Sequence, residues 1–537
     1  MTADRAALVA GILAHPDDDT PRLVAADWFE ENGDSARGEF IRVQVNRARL
    51  APTDPQQPEL AARELRLLKE HAERWTGAHF AFKKCRFRRG FIEYVHLHLT
   101  HFLHHRRELL ALEPVRDISL TGWMRTNASL VSRIAGCEEL RHIETLRFHH
   151  QGPHKHPRGE CAILLDSPHL TGLKKLHFSM ISVTADERRR IERSPAFARA
   201  RELTLPYLDT FPHQPGEWFQ DGVPKGALAN VRALRVGGYG LQAALGERLA
   251  GMSFWKKLEA LHAPIAWSQT EALDTLRTRL PQTLRSLHIT GSESNALNAA
   301  GAVPAFFARV AELPLTDLSM QHIDLHAETL TALLSGAPRL QRFALTAFRR
   351  NGQESAAEVA RVVAAAPAVR DASDVQLAVG CILRGDTAEA LFGGHLRNIA
   401  RLDVLGTGLS DEACEALGHA EWPALHALRV TGYGVARTAL RALFASPACR
   451  NLVTLRYRGS FQGMDPFGPA CATALAKLPH LSSVRLDTSS VSAASRKALA
   501  HVPWLHVAIA NNEYWGDDDP NVCAPIDDEL KHADQGA

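Results

Sequence analysis

The chain has 537 residues, 45% of them hydrophobic and 23% charged, and a formal net charge of +2. That length allows several domains or one elongated array, and the near-neutral balance excludes nucleic-acid binding through overall charge. No run reaches the roughly 18 apolar residues of a membrane span, and the eight cysteines include no CxxC pair, which excludes a zinc ribbon, a redox pair and a dense disulfide framework and fits reduced thiols in a cytoplasmic protein.

The first predicted element is an amphipathic helix over "AALVAGILA" (6–14), with Leu8 and Ile12 on one face. Only Arg5, offset by Asp4, precedes it, which is a poor start for a signal peptide. The next stretch, "HPDDDTPRLVAADWFEEN" (15–32), poses a choice between a cation site and a helix start. Calcium loops alternate their ligands and need a glycine at the turn; "DDDT" has neither. Thr20 before Pro21 suits an N-cap followed by a first-turn proline. Asp17 to Asp19 then lie at the positive helix end, Val24 and Trp28 share a face, and Gly33 is a left-handed stop. The reading is architectural: a cap, with no metal bound.

The stretch "ILAHPDDDTPRLVAADWFEENGDSARGEFIRVQ" resembles the bacterial repeat-companion domain, a short module found ahead of repeat arrays. The matching residues are Pro16, Asp17 to Asp19, Arg22, Leu23, Ala25 to Phe29, Glu30, Gly33, Asp34 and Glu39 to Gln44. Ala25 and Phe29 replace that family's usual tyrosine and leucine. "RWTGAHF" and "FRRGFIEYVHL" look like its junction with the array. The resemblance implies a helical leader over residues 1–80 and carries no activity with it.

"FKKCRFRRGF" (82–91) interleaves Lys83, Lys84, Arg86, Arg88 and Arg89 with aromatics, a pattern that suits nucleic acid or another acidic partner. The same run opens a strand, where its charges would face water. Residues 81–145 read as this junction and irregular first repeats.

From there a period runs through the chain. "LRNIARLDVLG" (396–406), "WPALHALRVTG" (422–432), "CRNLVTLRYRG" (449–459) and "LPHLSSVRLDT" (478–488) share one spacing of apolar residues. The central apolar recurs at Val95, Ile118, Leu146, Leu176, Leu203, Leu234, Leu261, Leu287, Leu318, Phe343, Val375, Leu402, Leu428, Leu455, Val484 and Leu505. From 95 to 505 is 410 residues in 15 intervals, a mean of about 27, within the range of a leucine-rich repeat. The alternating LxL step is a half-buried strand. Helical spacing follows it, as at Leu440, Leu443 and Phe444 or Val359, Val362 and Val363. Prolines at 168, 195, 338, 367, 423, 447 and 479 stop the helices.

Over 146–510 the chain therefore resembles the leucine-rich repeat family. The implied fold is an α/β right-handed solenoid, a horseshoe with a parallel concave sheet and convex helices. The family's usual turn asparagine is missing, with Thr407, Tyr433, Ser460 and Ser489 in its place. Residues 511–537 read as an acidic cap or tail.

Side chains alternate along a strand, so the residue between the two buried apolars of each repeat faces the concave side. From Leu146 onward these are Arg147, His177, Thr204, Arg235, His262, His288, Ser319, Ala344, Gln376, Asp403, Arg429, Arg456, Arg485 and His506. Nine of these fourteen are Arg or His and one is acidic. Those nine, Arg147, His177, Arg235, His262, His288, Arg429, Arg456, Arg485 and His506, are the candidate partner-binding residues. The expected function is a non-catalytic scaffold for an acidic protein or peptide segment, held more tightly at mildly acidic pH as His262, His288 and His506 charge. The tail at 517–529 is one such segment. The alternative is electrostatic nucleic-acid binding through the concave arginines and the 83–89 run.

No catalytic residue, cofactor or metal site is expected. His149, His150, His154 and His156 lie in one short loop without a spaced carboxylate or cysteine to complete a metal site. His419 and Glu421 lack a nucleophile or metal, and nothing near Cys523 would activate it.

Overall fold

The computed structural model describes residues 2–76, 85–123, 127–149, 159–179, 185–205, 228–236, 243–265, 270–291, 302–321, 326–346, 353–378, 382–393, 396, 398–432, 435–459, 468–487, 491–500, 502 and 506–510. They divide into two compact units, one of residues up to 46 and 71–284, the other of residues 47–70 and from 285 onward. Lys83, Lys84, His150, His154, His156, Tyr433, Ser460, Ser489, Leu505, Cys523, the side chain of Thr407 and the acidic tail lie outside the described residues.

The first unit opens with α1 (Thr2–Ala14), α2 (Thr20–Glu31) and α3 (Ser35–Arg49). The Asp18 carboxylate accepts from the Thr20 backbone N–H at 2.9 Å, and Asp19 holds the N-cap position. The helix thus begins at Thr20, one residue earlier than the capping pattern places it, because Asp18 rather than Thr20 satisfies the free N–H. Gly33 has φ +85°, the expected left-handed stop. The inward face of α2 differs from the expected Val24–Trp28 stripe: Arg22, Ala25, Ala26 and Phe29 are buried, and Val24 is 51% exposed. Ala25, Ala26 and Phe29 form one core with Ile12, Ile41, Val45 and Phe91.

Strands β1 (Cys85–Arg88) and β2 (Phe91–His98) pair as an antiparallel hairpin. The basic run therefore makes a hairpin arm rather than a repeat strand. Arg89 and Gly90 form its turn with φ of +46° and +90°, the backbone that two-residue hairpin turns require. A Cβ on Gly90 would lie 2.3 Å from Ile41 Cγ1, so only glycine lets α3 approach the hairpin.

After β2, α5 (Leu99–Leu112) follows, α4 being Gln57–Thr76. Strands β3 (Asp117–Thr121), β4 (Thr145–His149), β5 (Lys175–Ser179), β6 (Glu202–Leu205), β7 (Ala233–Val236) and β8 (Ala260–Ile265) then pair in parallel with their neighbours from β2 onward, with helices between most of them. Val95, Ile118, Leu146, Leu176, Leu203, Leu234 and Leu261 fall in one register column and are 0–3% exposed. Phe148 and Phe178 stack in successive repeats at 5.1 Å, an aromatic pairing along the core.

The leader is joined to these strands by buried charges. Glu113, 0% exposed, accepts from Arg37 at 3.1 Å, from Arg5 at 2.8 Å and from the Ile92 N–H at 2.8 Å. Arg37 also lies within 5.0–5.9 Å of the ring centroids of Phe29, Phe40, Trp75, Phe87 and Phe91, a cation–π cage that suits guanidinium better than ammonium. Arg22 pairs with Glu93, which also takes Arg116.

In the second unit, β9 (Ser286–Gly291), β10 (Asp317–Gln321), β11 (Arg342–Thr346), β12 (Asp374–Ala378), β13 (Ile382–Leu383), β14 (Arg401–Leu409), β15 (Ala427–Gly432), β16 (Thr454–Gly459), β17 (Ser483–Asp487) and β18 (His506–Ala510) form a parallel sheet. The marker column continues through Leu287, Leu318, Phe343, Val375, Leu402, Leu428, Leu455 and Val484 to Val507, which takes the place expected for Leu505. Helices carry the chain between strands; Arg437–Phe444 buries Leu440, Leu443 and Phe444, the i, i+3, i+4 face of the sequence pattern. Each unit is a leucine-rich-repeat-type α/β solenoid in which neighbouring repeats bury one another's faces. Residues 47–70 belong here: Ala61, Ala62 and Leu65 pack on Val453, and Arg66 donates to the Pro479 carbonyl at 3.2 Å.

Candidate functional site

On the open face of the sheet, opposite the marker column, each unit carries its own row. In the first unit the register aligns His96, Ser119, Arg147, His177, Thr204, Arg235 and His262. This row is largely compensated from within. Arg147 clamps Asp117 through two hydrogen bonds of 3.0 and 2.9 Å. His177 is 7% exposed and its Nδ1 lies 2.7 Å from Thr204 Oγ1. Burial pushes the His177 imidazole well below its ordinary range, and Arg147, Lys175 and Arg235 push the same way, so it stays neutral. Arg235 and His262 are also buried, at 8% and 6% exposure. Strands about 4.8 Å apart leave little water between such side chains.

The second unit aligns His288, Ser319, Ala344, Gln376, Asp403, Arg429, Arg456, Arg485 and Ala508. His506 stands opposite Ser483, one face position earlier than the sequence spacing suggests, because β18 is shifted by two residues relative to the expected marker. Two residues before this row lies a second column on the same face: Asp317, Arg342, Asp374, Arg401, Ala427, Thr454 and Ser483. Its first four members alternate in sign, and the guanidinium of Arg342 lies 3.3 Å from Asp374 and that of Arg401 3.7 Å from it. From β15 to β17 that column holds no carboxylate, whereas the row beside it holds Arg429, Arg456 and Arg485.

Arg458 joins them two residues after Arg456 on β16 and stands in register with Asp487. It was missed because attention to one position per repeat ignores the next outward residue of "LRYRG". Alternation alone could have found it. Arg429 and Arg485 are partly exposed, as is Arg458, and Arg456 is 9% exposed. A preorganised row of guanidiniums can take carboxylates two oxygens at a time.

The described part of the 83–89 run is engaged with its own chain. Arg89 donates to Asp19 at 3.2 Å and to the Pro16 carbonyl at 2.7 Å, and Arg86 lies over the Tyr94 ring at 5.0 Å. Asp19 thus has a guanidinium where a cation site would put a metal. No group of three or more His, Cys, Asp or Glu placed to hold a metal occurs among the described residues. His149, the described histidine of its loop, packs against His96 with ring centroids 5.4 Å apart. Burial pushes Cys85, Cys414 and Cys449 up to about 12. Such thiols are poor nucleophiles. Among the described residues no helix is long and apolar enough to cross a membrane.

No protein-family profile and no curated protein matches the chain. Some solved structures show a likeness to it. The Rad7 and Elc1 complex in yeast matches at 15% identity and TM-score 0.39, over 82% of this chain and 92% of that one. The mouse RP105/MD-1 complex matches at 12% identity and TM-score 0.30, over 74% of this chain and 67% of that one. A Bacteroides fragilis protein matches at 13% identity and TM-score 0.27, over 47% of this chain and 74% of that one.

Proposed function

We propose that this chain is a non-catalytic binding protein whose open sheet face at β15–β17 holds an acidic segment of a partner protein. The observation that carries the reading is the alignment of Arg429, Arg456 and Arg485 at one register position on three successive strands. The strands hold these side chains in place before binding, which lowers the ordering cost of association. The same reading treats residues 1–80 as a repeat-companion leader, 81–145 as its junction, 146–510 as the array and 511–537 as an acidic cap, in a cytoplasmic protein.

The test compares partners captured by the wild-type chain and by Arg429→Gln/Arg458→Glu/Arg485→Glu, both confirmed folded by circular dichroism. Glutamine is used at 429 to avoid placing a second carboxylate beside buried Asp403. A partner that binds both equally removes this face from the reading. Nucleic-acid binding is told apart by its salt dependence, since log K falls by roughly 0.7–0.9 per phosphate neutralised for each unit of log salt.

A further inference from the structure

Between helix Arg437–Phe444 and helix Gly468–Ala476 lies an open cleft of about 790 Å³. That is within the roughly 300–1,000 Å³ typical of binding pockets. Phe444, Pro447, Leu478 and Pro479 make it apolar. It exists because Ala445, Ala470 and Ala474 face it, and their methyl groups do not fill the space between neighbouring helices. Arg66 of α4 fixes the Pro479 wall by donating to its carbonyl at 3.2 Å.

The rim carries three exposed cations: Arg441 on the first helix, Arg450 after the turn Pro447–Cys449, and Lys477 just past the second helix. No carboxylate among the described residues lines the cleft. None of the three makes a side-chain ion pair or hydrogen bond among the described residues, although most arginines of the sheet face do. A cation near a helix C-terminus complements the helix dipole, which accounts for one charge per helix. It does not account for three cations gathered round an apolar floor.

We propose that this cleft docks an acidic amphipathic segment of a partner protein. Its carboxylates sit on Arg441, Arg450 and Lys477, and its apolar side chains cover Ala474 and Leu478. The site shares no residue with the face of β15–β17 and stands or falls independently of it.

The test is fluorescence anisotropy of the full chain with a short labelled peptide that alternates paired glutamates with leucine and phenylalanine. Arg441→Glu/Lys477→Glu is expected to weaken binding on the order of tenfold or more, as follows from reversing two charge contacts. Ala474→Trp fills the floor with the cations intact and is expected to weaken it comparably. Arg429→Gln/Arg458→Glu/Arg485→Glu leaves it unchanged. Arg441 and Lys477 are exposed and the other substituted positions are partly exposed; melting curves check that each variant is folded. Unchanged binding in both cleft variants, or loss confined to the sheet-face variant, overturns the proposal. Sedimentation with phosphatidylglycerol vesicles that depends on the same residues, without peptide binding, assigns the cleft to a lipid surface and overturns it as well.

Discussion

Asp403 lies 1% exposed beside Arg429, whose Nη1 stands 3.7 Å from its carboxylate. Asp403 is the acidic interruption in the row, and it ties down the first of three aligned arginines. Removing Arg429 leaves a buried carboxylate without this counter-charge. Arg429→Ala is therefore expected to lower unfolding free energy by about 2–4 kcal/mol, and Asp403→Ala in the same chain to restore most of it. Urea denaturation of the two single variants and the double one measures the coupling. Additive losses would show that the pair does not interact.

The Glu113 carboxylate holds two arginines and a backbone N–H. Glu113→Ala strands Arg37 inside five aromatic rings and should cost about 3–5 kcal/mol. Arg37→Lys keeps the charge and loses the planar fit, so it should also destabilise, by a smaller amount. Chemical denaturation of both variants checks the order.

Burial pushes His426 down to about 4, and Arg47 and Arg401 act the same way against Asp374 and the Ala424 carbonyl, to which its Nδ1–H donates at 3.1 Å. The unfolded chain binds a proton near pH 6.5, and the folded chain only near pH 4. Stability is therefore intact above about pH 6.5 and falls as pH drops toward 4, by at most about 3 kcal/mol from this residue. Buried His177 acts in the same direction. His426→Gln should flatten this part of the stability–pH curve; an unchanged slope would place the titration elsewhere.

With Asp19 paired to Arg89 and Asp18 accepting from Thr20, added calcium or magnesium should leave the melting temperature unchanged. Asp19→Asn should lower it by freeing Arg89 at the hairpin turn. A calcium-dependent rise in the wild-type melting temperature would contradict the capping role.

Burial by repetition was readable in the sequence, because each marker residue must fill the same core slot. That is why Val95 to Leu261 in the first unit and Leu287 to Val484 in the second each fall in an unbroken column. The electrostatics was less readable. Arg147 looks like Arg429 in the sequence, yet one clamps Asp117 across two strands and the other faces a buried aspartate. Those partners depend on the lateral register of neighbouring strands, and a one-position scan of each repeat does not supply it. Arg22 and Arg37 were hidden for a similar reason: their counter-charges, Glu93 and Glu113, lie 71 and 76 residues away. The cleft between helices Arg437–Phe444 and Gly468–Ala476 is lined by three alanines, which no spacing rule marks as functional.

Arg66 bonds the carbonyl of Pro479 across 413 residues of sequence. Repeats fold on their nearest neighbours, but this contact must wait for nearly the whole chain. At ribosomal speeds of roughly 5–20 residues per second, Ala61, Ala62 and Leu65 stay without Val453 for roughly 20–80 s. During synthesis that helix face is an exposed apolar surface, the kind that chaperones hold. Substitutions there should lower yield from a cell more than they lower the stability of the finished protein.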